Sequence, residues 1–360
     1  MKEYIAFDCH KRYTFVEFEE VETFKAKQQR VEHSPGAIRD CLQGRERGTP
    51  VAVEAIGNWY WIIDEIEQAG LEPKLVHPRK AKLMRGLINK TDKLDAHGLN
   101  QLQRAGTLPT VWIPPGELRD LRELTRTRMV MSAQRTRLKN RIQATLGKYA
   151  WSGSKWSDPY GEKGRAEMIG WMSRLPPHTV YVTDALLRQL DFVQGQITEV
   201  EQRLREVIRE TPEMKLLMSL PGVGWVLTAV IVLEVGDITR FASAERLASY
   251  SGTTPRVHSS GGKTRYGPLR SDVNHYLKWA FVEAAQSVCL GQKSHPYRHV
   301  TRLYRQIRQR KGHAKAIGAV ARHLAEATYY VLSTGKPYRE PVLKKLKKGS
   351  IQGGVSAKVS

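Results

Sequence analysis

Asp8 and Glu54 each end a short apolar run, and the pair Asp92 and Asp95 opens a later segment that reads as a helix. Carboxylates at strand ends restrict the fold, because open α/β sheets gather such residues at the edge where their strands terminate. Tyr4 to Asp8 and Thr14 to Phe18 are rich in β-branched and aromatic residues and are separated by a turn-prone break, so both read as strands. Thr23 to Val31 continues as a more polar third strand, Pro50 to Glu54 is a fourth and Leu75-Val76 a short fifth. Ser34-Pro35 supplies an N-cap and an N1 proline for a helix through Cys41. Asn58 caps a second helix, which Gly70 stops; a basic helix follows from Pro78 to about Arg85, and Thr91 starts another. Three strands in succession, then strand and helix in alternation, predict a mixed α/β sheet.

These acids stand in a chain of 360 residues with 58 Lys+Arg against 36 Asp+Glu, a net charge of +22. Such a field attracts polyanions, with nucleic acid the leading partner and ribosomal or membrane-surface roles the plainer ones. With 41% hydrophobic residues the chain is long enough for two or three cores. Cys9, Cys41 and Cys289 are odd in number and widely spaced, which leaves neither a disulfide framework nor a CxxC zinc site. A reducing cytoplasm fits that pattern, and the expectation is a protein neither exported nor embedded in a membrane.

Positions i and i+3 share a helix face, so Asp92 and Asp95 can both turn towards the strand ends that carry Asp8 and Glu54. Four carboxylates so gathered repel one another and raise each other's pKa values unless a cation intervenes. Hard oxygen donors suit Mg²⁺, or Mn²⁺, better than zinc, and two such ions clamp the entering and leaving oxygens of a phosphodiester displacement. Phosphoryl transfer is the expected chemistry. The plainer alternative pairs Asp8 and Glu54 with Lys11 or Arg12 and leaves Asp92 and Asp95 as a helix start. His10, His77 and His97 lie near the acids in sequence, but none is assigned as a ligand.

The proline-rich linker from Leu108 to Gly116 marks a boundary. The expected organisation is an α/β catalytic domain over 1–116, a helical region over 117–212, a mainly helical domain over 213–340 and a basic, disordered tail over 341–360. A long helix runs from Glu117 to Lys148, followed by a looser stretch from Trp151 to Thr183. Leu186, Leu190, Val193, Ile197, Val200, Leu204 and Val207 then hold a coiled-coil register. Its helix packs either on the first within one chain or on a second subunit.

Leu220-Pro221-Gly222-Val223-Gly224 looks like the turn of a helix-hairpin-helix, in which Gly222 and Gly224 let backbone amides approach a phosphate; the alternative is an ordinary tight turn. Trp225 beside it stacks on a sugar or belongs to the core. Nine basic and three acidic residues lie between Glu117 and Lys148, and a second basic run places Arg298, Arg302 and Arg305 on one helical face. Tyr297 and Tyr304, interleaved with it, can stack on unpaired bases, whereas a solvated basic face is the other reading. No helix with base-reading residues stands out.

Phe7-Asp8-Cys9-His10-Lys11, the stretch from Val53 to Trp61 and Lys90-Thr91-Asp92-Lys93-Leu94-Asp95-Ala96 resemble the DEDD insertion-sequence transposases of bacteria, recombinases directed by a bridge RNA. The resemblance continues at 220–224, 247–255, 259–263 and 314–322, in order along nearly the whole chain. It implies a RuvC-like, ribonuclease H type N-terminal domain whose four acids are Asp8, Glu54, Asp92 and Asp95. It also implies a C-terminal serine before a glycine that attacks DNA and forms a covalent phosphoserine. Ser260, followed by Gly261-Gly262, matches best, with Ser259 one residue away. The implied partners are donor and target DNA, a guide RNA and further copies of the chain in a dimer or tetramer. The chain departs from the family pattern at Gly267-Pro268-Leu269-Arg270-Ser271-Asp272, where the family usually has a Lys-x-Gly turn. Two other functions compete: a RuvC-like junction-resolving endonuclease that uses water, and a scaffold that binds nucleic acid without catalysis.

Overall fold

A computed structural model describes residues 3–85, 91–270 and 272–341. The chain divides into two compact units, the first ending at Pro114 and the second starting at Pro115.

In the first unit, β1 (Glu3–Cys9), β2 (Tyr13–Glu20) and β3 (Ala26–Glu32) form an antiparallel meander. After α1 (Ala37–Cys41), β4 (Pro50–Glu54) joins the other side of β1 in parallel; α2 (Trp59–Gln68) then leads to β5 (Glu72–Val76), parallel to β4. The sheet order is β3-β2-β1-β4-β5. Strand alternation divides its residues between two faces. Ile5, Phe7, Val16, Phe18, Val51 and Val53 pack with Ile38 of α1 and Ile62, Ile63 and Ile66 of α2. Burying each of these side chains contributes about 1.5–3 kcal/mol. Ala6 and Ala52 face the opposite way, onto Leu99 and Leu102 of α4 (Asp92–Arg104), which follows the basic α3 (Pro78–Arg85). Small residues on the strands let α4 lie close, so the sheet–α4 interface has room for polar side chains beside the alanines.

Two local expectations are corrected here. Ser34-Pro35 does not cap α1, which begins at Ala37 after Gly36 in a left-handed turn. The Glu65 carboxylate of α2 instead accepts from the free amides of Gly36, Ile38 and Arg39, as an acid at a helix N-terminus does. Asn58 precedes α2, but its side chain donates to the His10 carbonyl rather than to the helix.

The second unit is mainly helical. α5 (Gly116–Gly147) and α7 (Pro177–Val207) pack antiparallel within one chain, joined by Arg128 to Glu201, Arg135 to Gln194 and Tyr149 to Thr179. Leu190, Val193, Ile197 and Leu204 of the heptad stripe are buried. The stretch read as loose contains α6 (Glu162–Met172) and the first turns of α7, with Pro177 at the helix start, where its missing N–H costs nothing. α8 (Pro212–Leu217), α9 (Trp225–Val235), α10 (Ala244–Tyr250), α11 (His275–Leu290), α12 (His299–Lys311) and α13 (His313–Thr334) surround a second core that includes Ile231, Phe281, Val320 and Leu324. Between α10 and α11 the chain forms a hairpin, β6 (Pro255–Ser260) and β7 (Lys263–Leu269). The basic tail lies outside the described residues.

A buried ionic knot ties α5 to this core. The Glu234 carboxylate, at the end of α9 and wholly buried, accepts from Arg126 Nε at 2.8 Å and Asn274 Nδ2 at 2.8 Å. Arg122 donates to the Leu233 and Glu234 carbonyls at 2.8 and 3.1 Å, with its Nε 3.6 Å from the carboxylate. Removing one member of such a group strands the opposite charge in a dry site. Glu234→Ala is expected to destabilise the protein by about 3–5 kcal/mol, read as a lower urea midpoint in helical circular dichroism.

Candidate metal centre

Asp8 and Glu54 stand at the C-terminal ends of adjacent parallel strands, and the register that pairs Phe7 with Val53 continues to set them side by side. Both project from the sheet face that α4 covers. Thr91 caps α4 by accepting the Leu94 amide, which brings Asp92 and Asp95 into its first turn over the same edge. The three elements therefore converge for ordinary reasons: parallel pairing, strand alternation and a threonine cap.

Asp8 is 4% exposed. Burial pushes its carboxyl up to about 7; His10 opposes that rise, while Glu54 and Asp95 reinforce it. Desolvation and like charge both disfavour the ionised form, the condition a bound cation relieves. His10 Nε2 lies 3.1 Å from Asp8 Oδ2 and 3.4 Å from Asp92 Oδ1, so one imidazole spans the strand end and the helix. Its ring stacks on Tyr13 at 4.5 Å, and the Tyr13 hydroxyl donates to Asp92 at 2.9 Å.

The structure brings Asp8 and Asp92 together across His10, while Glu54 and Asp95 act on the charge of Asp8 but lie outside that close group of donor atoms. Lys11 and Arg12, the alternative partners, are exposed, and Asp8 pairs with His10 instead. Sequence reasoning set His10 aside; the usable signal was strand alternation, which sends i and i+2 to one side. Asp8, His10 and Asp92 offer donor atoms within 4.8 Å of one another, as do Glu17, Glu19 and His97 on the same sheet face, and either group can hold a divalent cation such as Mg²⁺. Hard carboxylate oxygens around an under-compensated buried acid fit such an ion.

The remaining expected site residues belong to the second unit. Ser260 ends β6 and is exposed at the hairpin tip, where Gly261 and Gly262 both take positive φ. This is the two-residue turn that only small residues allow without strain. Ser259 Oγ lies 3.3 Å from Thr264 Oγ1 across the ladder. Gly222 also has positive φ, and a Cβ there would sit 2.3 Å from the Ala284 carbonyl oxygen of α11, so its bareness serves packing; Gly224 faces open space at the start of α9. Trp225 is half-buried with the Arg205 guanidinium 4.5 Å above its ring. Arg298 and Arg302 are half-buried, and Arg305 donates to the Gln292 carbonyl at 2.8 Å. Tyr297 is 85% exposed, but Tyr304 is 1% exposed and bonded to His313, so the expectation that it stacks on bases is corrected. Its place three residues after Thr301 on the inner side of α12 makes it core.

Residues 5–150 match a family model described as a transposase of the DEDD type, and residues 214–299 match the transposase family IS116/IS110/IS902. The chain is similar to a probable family 20 transposase of Pseudomonas aeruginosa, 23% identical over 68% of this chain and 73% of that protein. It is likewise similar to the transposase of insertion sequence element IS1111A of Coxiella burnetii, 24% identical over 80% of this chain and 79% of the other. A pilin gene-inverting protein of Moraxella bovis is 25% identical over 49% of this chain and 56% of its own length.

With Asp8 at about 7, a cation competes with its proton below neutrality. Mn²⁺ affinity measured by calorimetry is expected to rise with pH up to about 7, by at most about tenfold per unit for one displaced proton, and then to level off. In the metal-free protein the folded state keeps a proton that the unfolded chain releases, so Asp8's contribution to stability is present below pH 4 and lost as pH rises through 7. The variant Asp8→Asn is expected to flatten both profiles.

Proposed function

We propose that the chain, whose residues 5–150 and 214–299 match the two transposase models, is the site-specific recombinase of an insertion sequence, cutting and rejoining DNA through a covalent phosphoserine under the direction of a guide RNA. The observation that carries the catalytic part is the close group of Asp8, His10 and Asp92 at one sheet edge, with Glu54 and Asp95 near enough to raise the Asp8 carboxyl. These four acids, with His10 beside them, would hold Mg²⁺. The chemistry a bound Mg²⁺ supplies is charge neutralisation at the phosphate and at the entering and leaving oxygens.

Ser260 is the nucleophile. Its Oγ forms a bond to phosphorus while the bond from phosphorus to the departing deoxyribose oxygen breaks; the serine proton leaves as the first bond forms, and the departing oxygen gains one. A second strand's hydroxyl reverses the exchange and frees the serine. A serine hydroxyl needs a proton acceptor to react at neutral pH. What supports Ser260 over Ser259 is its free position at the tip, since the Ser259 hydroxyl already faces Thr264.

DNA is bound through phosphates. Gly224 at the open start of α9 offers backbone amides, with Gly222 shaping the turn; Arg298, Arg302 and Arg305 contribute charge from α12 and its N-cap, and Tyr297 an exposed ring. These groups carry no base-reading pattern, which favours delegating sequence choice to paired RNA. The acids and the serine lie in different compact units, an arrangement suited to a dimer or tetramer that shares its sites.

Ser260→Ala is expected to abolish covalent protein–DNA adducts on denaturing gels while leaving nucleic-acid binding intact; Ser259→Ala is expected to retain them. Cleavage without adducts in the parent protein favours water as nucleophile. If about 6–10 phosphates are neutralised, affinity falls roughly 10³–10⁵-fold between about 50 and 200 mM salt, measurable by filter binding.

A further inference from the structure

Beside the acids, the same sheet face carries a second charged group for which phosphoryl transfer has no evident use. Glu17 and Glu19 of β2 are both wholly buried. Glu17 pairs with Ala6 of β1 and with Gln28 of β3, two residues along the ladder from the pair Asp8–Phe15 and so on the same face. A buried carboxylate costs several kcal/mol unless its lone pairs are met. Those of Glu17 are: Oε1 accepts from His97 Nδ1 at 3.0 Å and Asn100 Nδ2 at 3.1 Å, and Oε2 from Gln28 Nε2. Glu19 accepts from Arg104.

His97, Asn100 and Arg104 form one stripe of α4, the helix whose first turn holds Asp92 and Asp95. Beneath them the helix rests on alanines, which set its distance from the sheet but barely resist rotation or sliding. A slip of one residue moves a helix 1.5 Å and turns its side chains by 100°. Carboxylate hydrogen bonds are directional, so a grip on two residues three apart fixes both coordinates. Donors from His97, Asn100 and Gln28 meet both Glu17 oxygens, so in the metal-free protein this carboxylate is engaged in holding α4.

We infer that Glu17 is a positioning residue: by holding His97 and Asn100 it sets the rotation and axial register of α4, and so the placement of Asp92 and Asp95 against Asp8 and Glu54. The inference rests on the reading that these acids hold the cation. Glu17 touches neither DNA nor metal in this account; it acts through the helix.

The test is calorimetric titration of the full-length protein with Mn²⁺, following affinity and stoichiometry separately. Glu17→Ala is expected to weaken Mn²⁺ binding by about tenfold or more, the usual effect of losing an outer support of a metal site, with stoichiometry unchanged. Glu17→Gln is expected to stay close to the parent, because its amide oxygen still accepts from His97 and Asn100. If Glu17→Ala does not fold, Asn100→Ala removes one donor only and is expected to give a smaller weakening. Unchanged affinity in a folded Glu17→Ala or Asn100→Ala variant overturns the inference. Loss of a whole binding equivalent in Glu17→Gln also overturns it and makes Glu17 a metal ligand. Asp92→Asn separates the two claims: parent-like Mn²⁺ binding there defeats the metal reading itself, whereas weakened binding there beside an unaffected Glu17→Ala defeats only the positioning role.

Discussion

The burial of Asp8 is the constraint on which the rest of the site turns. A carboxyl group at the end of a central strand, with Glu54 on the next strand and Asp95 on the covering helix, has lost its water and gained two like neighbours. Nothing in apolar packing rewards that arrangement, and in isolation it weakens the fold. A divalent ion offsets these costs, because each of the charges that repel one another attracts it. His10 supplies a partial substitute, bridging Asp8 and Asp92 by one imidazole.

The two faces of the sheet differ in chemistry. One face carries Ile5, Phe7, Val16, Phe18, Val51 and Val53 against α1 and α2, an apolar contact that tolerates changes of similar volume. The other carries Asp8, Glu17, Glu19 and Glu54 among alanines, under a helix held by hydrogen bonds and ion pairs. Directional contacts of this kind tolerate little displacement, which suits a surface that must hold four carboxylates in place. The second unit repeats the device once, at Glu234, where two arginines and Asn274 fix the root of the long helical hairpin.

Much of this was legible in the sequence. The five strands follow from β-branched runs and their breaks, and the placing of Asp8 and Glu54 at strand ends and of Asp92 and Asp95 in a helix's first turn follows from local pattern, because strand alternation and helix periodicity act locally. What escaped depends on contacts distant in the chain. Ser34 is a good capping residue by type, yet Glu65, nearly thirty residues later, takes the amides of α1. His10 reads as an ordinary solvated histidine until Asp92 arrives beside it. Tyr304 shares a helix with exposed arginines and becomes core only because α13 folds back to present His313. The heptad stripe of α7 picked out Leu190, Val193, Ile197 and Leu204, which are buried, while Leu186, Val200 and Val207 are half-buried; it could not tell what would cover them, since a helix of the same chain and one of another copy present the same apolar seam.

Anomalous diffraction from crystals grown with Mn²⁺ decides whether Asp8, Glu54, Asp92 and Asp95 enclose a divalent cation. A Mn²⁺ peak bounded by those four carboxylates is expected, with Asp8 among its oxygen ligands. A map with no peak there, or with Mn²⁺ only on Glu17, Glu19 and His97, would contradict it.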